Sequence, residues 1–327
     1  MTRPYSRRRQ ARPVAWILPL ILFAPAIALA QTGPELLLKP WPKGQHVQAQ
    51  GEFAMLGEGS TEATDEFDLT FYDLSGRVRL LSEQRADPRF GFNYTHLNTS
   101  GDPRLPSQLV DTSIGLGVGI ADWSGWLAGI TVGLGYAGAG AFDDVNAWYG
   151  MADFAIGREF DQNTAFGFVL NYDGNRTIFP DIPLPGFQYR KKLDNALLLA
   201  VGFPFSSIEY RPTAALTISG TYYIPDDLTV RADYKLAEYL AMFGEFKSRR
   251  EAFHWDALSS GTDRLIYESR RAELGLRWMP QDGVSLIVAG GYVFTQEFNV
   301  GFDTRDQDRL AEPSDEPYLR IGLEVSR

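Results

Sequence analysis

The chain has no cysteine among its 327 residues. That excludes a disulfide framework, a thiolate metal site and a lipid-modified N-terminal cysteine. Histidine is almost as scarce. His46, His96 and His254 are too few and too scattered to suggest a histidine-built metal centre. Long apolar runs are missing as well. The stretch Val14 to Ile27 is about fourteen residues, holds Pro19 and Pro25, and is too short for a membrane-spanning helix. A basic surplus is also absent: 31 Lys and Arg face 41 Asp and Glu, a net charge of −10. Nucleic acid is therefore not an expected partner, because a phosphate backbone needs a basic face.

What is present begins with an export signal. Arg3, Arg7, Arg8, Arg9 and Arg12 precede the apolar run, and Ala28-Leu29-Ala30 forms an A-x-A cleavage site. We expect residues 1–30 to be a signal peptide, 31–45 a periplasmic N-terminal segment, and 46–327 the folded domain. Without those five arginines, 26 basic residues face 41 acidic ones, so the mature charge is −15. All 32 glycines lie after the signal.

The mature chain alternates apolar and polar residues with a period of two. Val110, Thr112, Ile114, Leu116, Val118 and Ile120 share one strand face, and Asp111, Ser113, Gly115, Gly117 and Gly119 share the other. Trp126, Ala128, Ile130, Val132, Leu134 and Tyr136 repeat the pattern. An exported chain of such stretches predicts an all-β fold, a transmembrane antiparallel up-and-down β-barrel of about fourteen strands, with twelve as the alternative. The strands fall near Val47–Met55, Phe67–Leu81, Arg89–His96, Leu109–Ala121, Gly125–Tyr136, Ala147–Phe160 and Thr164–Tyr172. The rest fall near Asn195–Phe203, Ser207–Tyr222, Leu228–Tyr234, Tyr239–Arg249, Arg264–Trp278, Val284–Phe298 and Tyr318–Val325. Pro212 is expected to interrupt one strand and Gly76 to mark a bulge in another.

Connection lengths fall into two classes. Ala121–Gly125, Asp161–Asn163, Pro204–Ser206, Lys235–Glu238 and Pro280–Gly283 are short, as periplasmic turns are. Thr99–Ser107, Gly138–Asn146, Asp173–Asp194, Glu251–Asp263 and Asn299–Pro317 are long, as external loops are. An exported β-sandwich would show no such rhythm. Aromatics flank both sets: Trp123, Trp126, Phe160, Tyr239 and Trp278 beside the short turns, and Tyr94, Trp148, Tyr172, Tyr222 and Trp255 beside the long loops. This is the two-girdle pattern of membrane interfaces.

Three segments carry a family resemblance: RFGFNYTHL at Arg89–Leu97, FPFSSIEYRP at Phe203–Pro212 and PYLRIGLEV at Pro317–Val325. With them the chain resembles a family of uncharacterised bacterial outer-membrane β-barrel proteins. The resemblance implies a barrel in the bacterial outer membrane and brings no activity or ligand with it.

The face opposite the apolar one carries charge. Parity places Asp111, Asp153, Arg231, Asp233, Glu245, Lys247, Arg249, Arg271, Glu273, Arg277, Arg320 and Glu324 inside. Each Arg or Lys turned into hydrocarbon at the midplane would cost about 2–4 kcal/mol, so these residues are expected to line the lumen. They would either tune a water-filled pore or pair across a narrow lumen and hold it shut. Phe179, Phe187, Arg190, Lys191 and Lys192, in the Asp173–Asp194 connection, are candidates for a constriction at the mouth. Pro180, Pro183 and Pro185 would stiffen that loop.

Other patterns carry less. Gly133, Gly135 and Gly138 spell G-x-G-x-x-G, but a loop follows them where a nucleotide site needs a helix. His96 has Ser100 and Asp102 nearby and His254 has Asp256, with no partner fixed by spacing, so no catalytic residue is expected. Asp303, Asp306, Asp308, Glu312, Asp315 and Glu316 lack the calcium-loop glycine and read as a solvated acidic loop. No cofactor is expected. The leading expectation is a passive channel for small hydrophilic solutes. The alternatives are a closed structural or adhesion barrel binding lipopolysaccharide or a partner through its loops, and a lipid-active barrel enzyme. Expected partners are outer-membrane lipid, lipopolysaccharide and the barrel assembly machinery.

Overall fold

The computed structural model describes residues 45–80, 88–194, 196–223, 227–258 and 260–327. The expected signal peptide, and the N-terminal segment up to residue 44, lie outside the described residues. No helix among the described residues is long and apolar enough to cross a membrane; the chain crosses with strands.

The elements run in order as β1 (Val47–Leu56), β2 (Gly59–Thr61), β3 (Thr64–Arg79), β4 (Arg89–Ser100), β5 (Gln108–Trp123) and β6 (Trp126–Gly138). After a short 3₁₀ turn at Val145–Ala147 come β7 (Trp148–Asp161), β8 (Thr164–Asp173), β9 (Leu184–Lys192), β10 (Leu197–Phe203), β11 (Phe205–Tyr210) and β12 (Leu216–Tyr223). The chain ends with β13 (Asp227–Ala237), β14 (Leu240–His254), β15 (Arg264–Gln281), β16 (Val284–Gly301), β17 (Gln307–Ala311) and β18 (Glu316–Ser326). Each barrel strand pairs antiparallel with the next, and β1 pairs with β18, Phe53 opposite Ile321, so the sheet closes on itself. The fragments β2 and β17 extend β1 and β18 at one rim, leaving 16 strands in the barrel wall.

Sixteen replaces the fourteen, and the alternative twelve, expected from sequence. Both missed strands lie in one quarter of the wall. The connection Asp173–Asp194 contains β9, which pairs Phe168 with Phe187 and Ala200 with Arg190. The stretch Ser207–Tyr222 is two strands, with Pro212 in the turn between β11 and β12 rather than interrupting one strand. The two omissions cancel in direction, so β1 begins and β18 ends at the same rim. There Arg327 O accepts from Val47 N at 2.6 Å. The connection at Pro204 therefore belongs to the opposite rim, not the short-turn rim.

Gly76 does not mark a bulge. The β1–β3 and β3–β4 ladders run through it without a shift, and a Cβ there would lie 2.7 Å from the Phe92 ring. Gly135 belongs to β6, where a Cβ would fall 2.2 Å from the Tyr149 ring, so its glycine serves wall packing and no helix follows it.

The outer surface is apolar across the middle of the wall. Ile114, Leu116, Ile130, Val132, Leu134, Phe168, Val230, Leu274, Val288, Leu319 and Ile321 are all exposed. An exposed apolar band on a closed barrel is the hydrocarbon-facing surface of an outer-membrane barrel. On β15 this band is bounded by exposed Arg270 at one end and Trp278 at the other. Beyond the band, towards the long loops, the alternation inverts. On β3, Phe67, Leu69 and Phe71 point inward and are buried, while Glu66 and Asp68 point outward. That inversion marks strands rising above the membrane into water with an apolar core of their own.

Candidate functional site

The site is the lumen and its closed external mouth. Its geometry starts from unequal strand lengths. The described part of β13 stops at Asp227, and its ladder with β14 ends at Leu228 opposite Ser248. β14 continues to His254, paired on one side to β15 throughout, with Phe253 opposite Leu265. Its other edge, from Arg249 to His254, makes no ladder pair with the described part of β13. That freed hairpin tip leans across the mouth until His254 pairs with Gly138 at the end of β6. In the strand order β6 lies half-way round the barrel from β14, so the tip spans the full diameter.

The exposed backbone edge is satisfied by the surroundings, as buried peptide groups must be. Asp227 Oδ1 accepts from Arg250 N at 3.1 Å, Asn175 Nδ2 donates to Ala252 O at 2.9 Å, and Ala139 N donates to His254 O at 2.9 Å. Asn175 belongs to the connection between β8 and β9, which lies over the tip. Ala252 and Ile266, on what would be the outer face of β14 and β15, are consequently buried. Arg264 ties the layers together by donating to Asn175 O, to Arg176 O at 3.1 Å and to Phe302 O at 2.7 Å. Thr304 N donates to Thr177 O at 3.0 Å, and Arg305 sits 4.1 Å over the Phe179 ring.

Inside the tip is an apolar plug formed by Leu69, Phe71, Leu97, Leu109, Phe253, Leu265, Tyr267, Val293, Phe298 and Ala311. Burying one such side chain is worth about 1.5–3 kcal/mol, so the plug is held firmly and excludes water from this half of the mouth. Beneath it the lumen turns polar.

All twelve charges expected inside are buried in the barrel, and most are paired. Glu52 is the hub of the first group: its Oε1 accepts from Arg271 Nη2 at 3.0 Å, with Lys247 Nζ at 3.7 Å, and its Oε2 accepts from Arg320 Nη1 at 2.8 Å. Glu273 accepts from Arg320 Nε at 3.0 Å and from the Tyr318 hydroxyl at 2.6 Å. A second group joins Arg231 to Asp233 at 3.0 Å and to Glu245 at 3.2 Å, and Arg277 to Asp233 at 3.4 Å and Glu324 at 3.6 Å. Arg249 pairs with Asp73 and Glu251. Asp111 and Asp153 sit apart, accepting from the Tyr149 hydroxyl at 2.9 Å and from Asn171 Nδ2 at 2.5 Å. Sequence reasoning missed Glu52, Asp73 and Glu251, although the same parity rule on β1, β3 and β14 would have placed them inside.

The facing wall is different. From β5 to β8 the inward positions towards the short turns are mostly small: Gly115, Gly117, Gly119, Gly129, Gly133, Ala155, Gly157, Ala165 and Gly167, with Thr131 and Val169 among them and Leu127 and Glu159 nearest the turns. The arc from β13 round to β1 is lined with long charged side chains, whereas the four strands β5 to β8 carry few.

Four of the five constriction candidates are corrected. Phe187, Arg190, Lys191 and Lys192 form β9 and belong to the wall, with Phe187 exposed outward. Arg190 pairs with Glu159 and Lys191 with Thr164, near the short-turn rim. Phe179 alone sits at the mouth. The acidic loop is not uniformly solvated either. Asp303 is buried, accepts from Phe179 N at 3.3 Å and from Arg305, and β17 pairs with β16. Burial opposes ionisation of Asp303, but the Arg305 bonds override it and hold the carboxyl below its ordinary range. In the loop after β4, Arg104 holds Asp102 down to about 2, with help from Thr61. The candidate hydrolase groupings divide. His96 takes the Tyr94 hydroxyl, Ser100 donates to Asp68, and Asp102 is held by Arg104. His254, by contrast, meets Asp144 and Asp256.

No protein-family model and no curated protein matches the chain. Among solved structures, the chain is similar to an outer-membrane channel from Pseudomonas putida F1, with 11% identity and a TM-score of 0.36 over 88% of this chain and 97% of that one. The Pseudomonas putida toluene transporter TodX matches with 10% identity and a TM-score of 0.37 over 90% and 92%. The Acinetobacter baumannii outer membrane protein Omp33 matches with 8% identity and a TM-score of 0.36 over 86% and 97%.

Proposed function

We propose that the protein is a gated, porin-like channel of the bacterial outer membrane for small hydrophilic solutes. The observation that carries this reading is the strand number together with what lines the wall. Eight-stranded barrels are filled by their own side chains, whereas sixteen strands enclose more section than side chains fill and leave an aqueous lumen. The glycine and alanine face from β5 to β8 leaves that space unfilled towards the short-turn rim. The charged face from β13 round to β1 keeps it polar and excludes a lipid-like cargo. The β14–β15 tip and the β8–β9 connection act as the gate. The outer apolar band and acidic loops suit contact with lipid and lipopolysaccharide after insertion by the assembly machinery.

Liposomes carrying the protein are expected to swell in isotonic arabinose, and more slowly in larger sugars. Arg264→Ala, which frees the β8–β9 connection from the tip, should raise the rate several-fold. Failure of both proteins to swell the vesicles would contradict the channel.

A further inference from the structure

Where the tip of β14 meets the far wall, three potential ligands converge from separate parts of the chain. His254 ends β14, Asp256 follows it by two residues, and Asp144 precedes the 3₁₀ turn in the β6–β7 connection. One donor atom from each lies within 4.8 Å of the others. His254 Nδ1 contacts Asp144 Oδ2 and stands 3.9 Å from Asp256 Oδ1. The Asp144 carboxylate is fixed, because its Oδ1 accepts from Asn146 N at 2.8 Å and leaves Oδ2 for the imidazole. The His254 backbone is fixed by Ala139.

We propose that Asp144, His254 and Asp256 bind one divalent transition-metal ion of the zinc type, which staples the tip of β14 to the β6–β7 connection. The donor set decides the metal. One imidazole nitrogen with two carboxylate oxygens suits zinc and its neighbours, whereas calcium asks for six to eight oxygens. Two carboxylates share one imidazole here, and a single N–H can satisfy only one of them. A divalent cation neutralises both. In a tetrahedral zinc site with bonds of about 2.0–2.2 Å, donors lie roughly 3.3–3.6 Å apart. The Asp144 contact would open and Asp256 would close in, both by side-chain rotation. Asp256 has 75% of its side chain exposed, which provides an entry path and leaves the fourth position to water. The site itself is independent of the channel reading; the staple rests on it, since fixing this crossing would hold the gate shut.

Zinc titration of the detergent-folded protein by calorimetry, after treatment with a chelator, tests the site. One saturable site per chain is expected, and cobalt should give the visible absorption of a tetrahedral complex. His254→Gln and Asp256→Asn should each weaken binding at least tenfold. Among the described residues Asp256 pairs only with His254, so Asp256→Asn keeps the test valid if His254→Gln fails to fold. No saturable binding to the wild type, or the same affinity in Asp256→Asn, would overturn the proposal. Conductance gives the second readout: zinc should lower the open fraction of the wild type and leave Asp256→Asn unaffected. Binding without that effect would overturn the staple and leave the channel reading intact.

Discussion

Replacing Glu52 by leucine is expected to be the most damaging single change in the lumen, costing about 3–5 kcal/mol of barrel stability. The carboxylate is shared by Arg271, Arg320 and Lys247. Removing it leaves three cations facing one another with little water to screen them, and an uncompensated buried charge is costlier than a missing pair. Arg320 keeps Glu273, so part of the group survives, but Arg271 and Lys247 lose the one acidic ion-pair partner they have among the described residues. Glu52→Gln should cost less, because the amide oxygen still accepts one hydrogen bond. Urea unfolding of the detergent-folded protein, followed by heat-modifiable gel mobility, reads the order. Equal midpoints for wild type and Glu52→Leu would show that the network is not holding the wall.

The second large effect comes from the other face of the same wall. Leu274→Arg should lower stability in lipid by about 2–4 kcal/mol, since the residue is 71% exposed midway along the apolar band. Its neighbours across the ladders are Gly290 on β16 and, beyond it, Leu319 on β18, so nothing polar lies beside the new guanidinium. The comparison is Arg270→Ala, at the exposed rim of the same strand, which should change stability by less than about 0.5 kcal/mol. Folding yield into vesicles separates the two. If Leu274→Arg inserts as well as Arg270→Ala does, the inside–outside register is wrong by one residue.

Much of this was legible because strand side chains alternate over long ladders, with register shifts falling mostly near the strand ends. Ile114 and Asp111, or Leu276 and Arg277, declare their faces from parity alone, and every charge placed inside by that rule is buried in the barrel. What escaped has physical reasons. β9 lies behind Pro180, Pro183 and Pro185, and prolines that signal a loop also sit at a strand entrance: Pro185 faces Leu170 in the ladder. β11 and β12 merged because the residues around Pro212 keep the alternation through the turn. The crossing of the mouth by the β14–β15 tip is not declared by parity. Period-two texture says which way a residue points from its own strand, and nothing about a strand that outgrows its neighbour and crosses the barrel. The clue was the inversion on β3, where Phe67, Leu69 and Phe71 turn inward while acids turn out.

The proposed channel is a conducting polar lumen beneath a tip that closes it. The direct measurement is single-channel current in a planar bilayer, comparing the wild type with a variant in which residues 252–266 are replaced by an Asn-Gly turn. The cut falls just beyond the Glu251–Tyr267 pair and removes only the last three ladder pairs of β15 with β16, and an Asn-Gly turn matches a two-residue hairpin, so the wall below should assemble unchanged. The wild type should show small or brief steps, and the shortened protein large, persistent ones. A shortened barrel that folds with heat-modifiable mobility and passes no more current than the wild type would contradict the account.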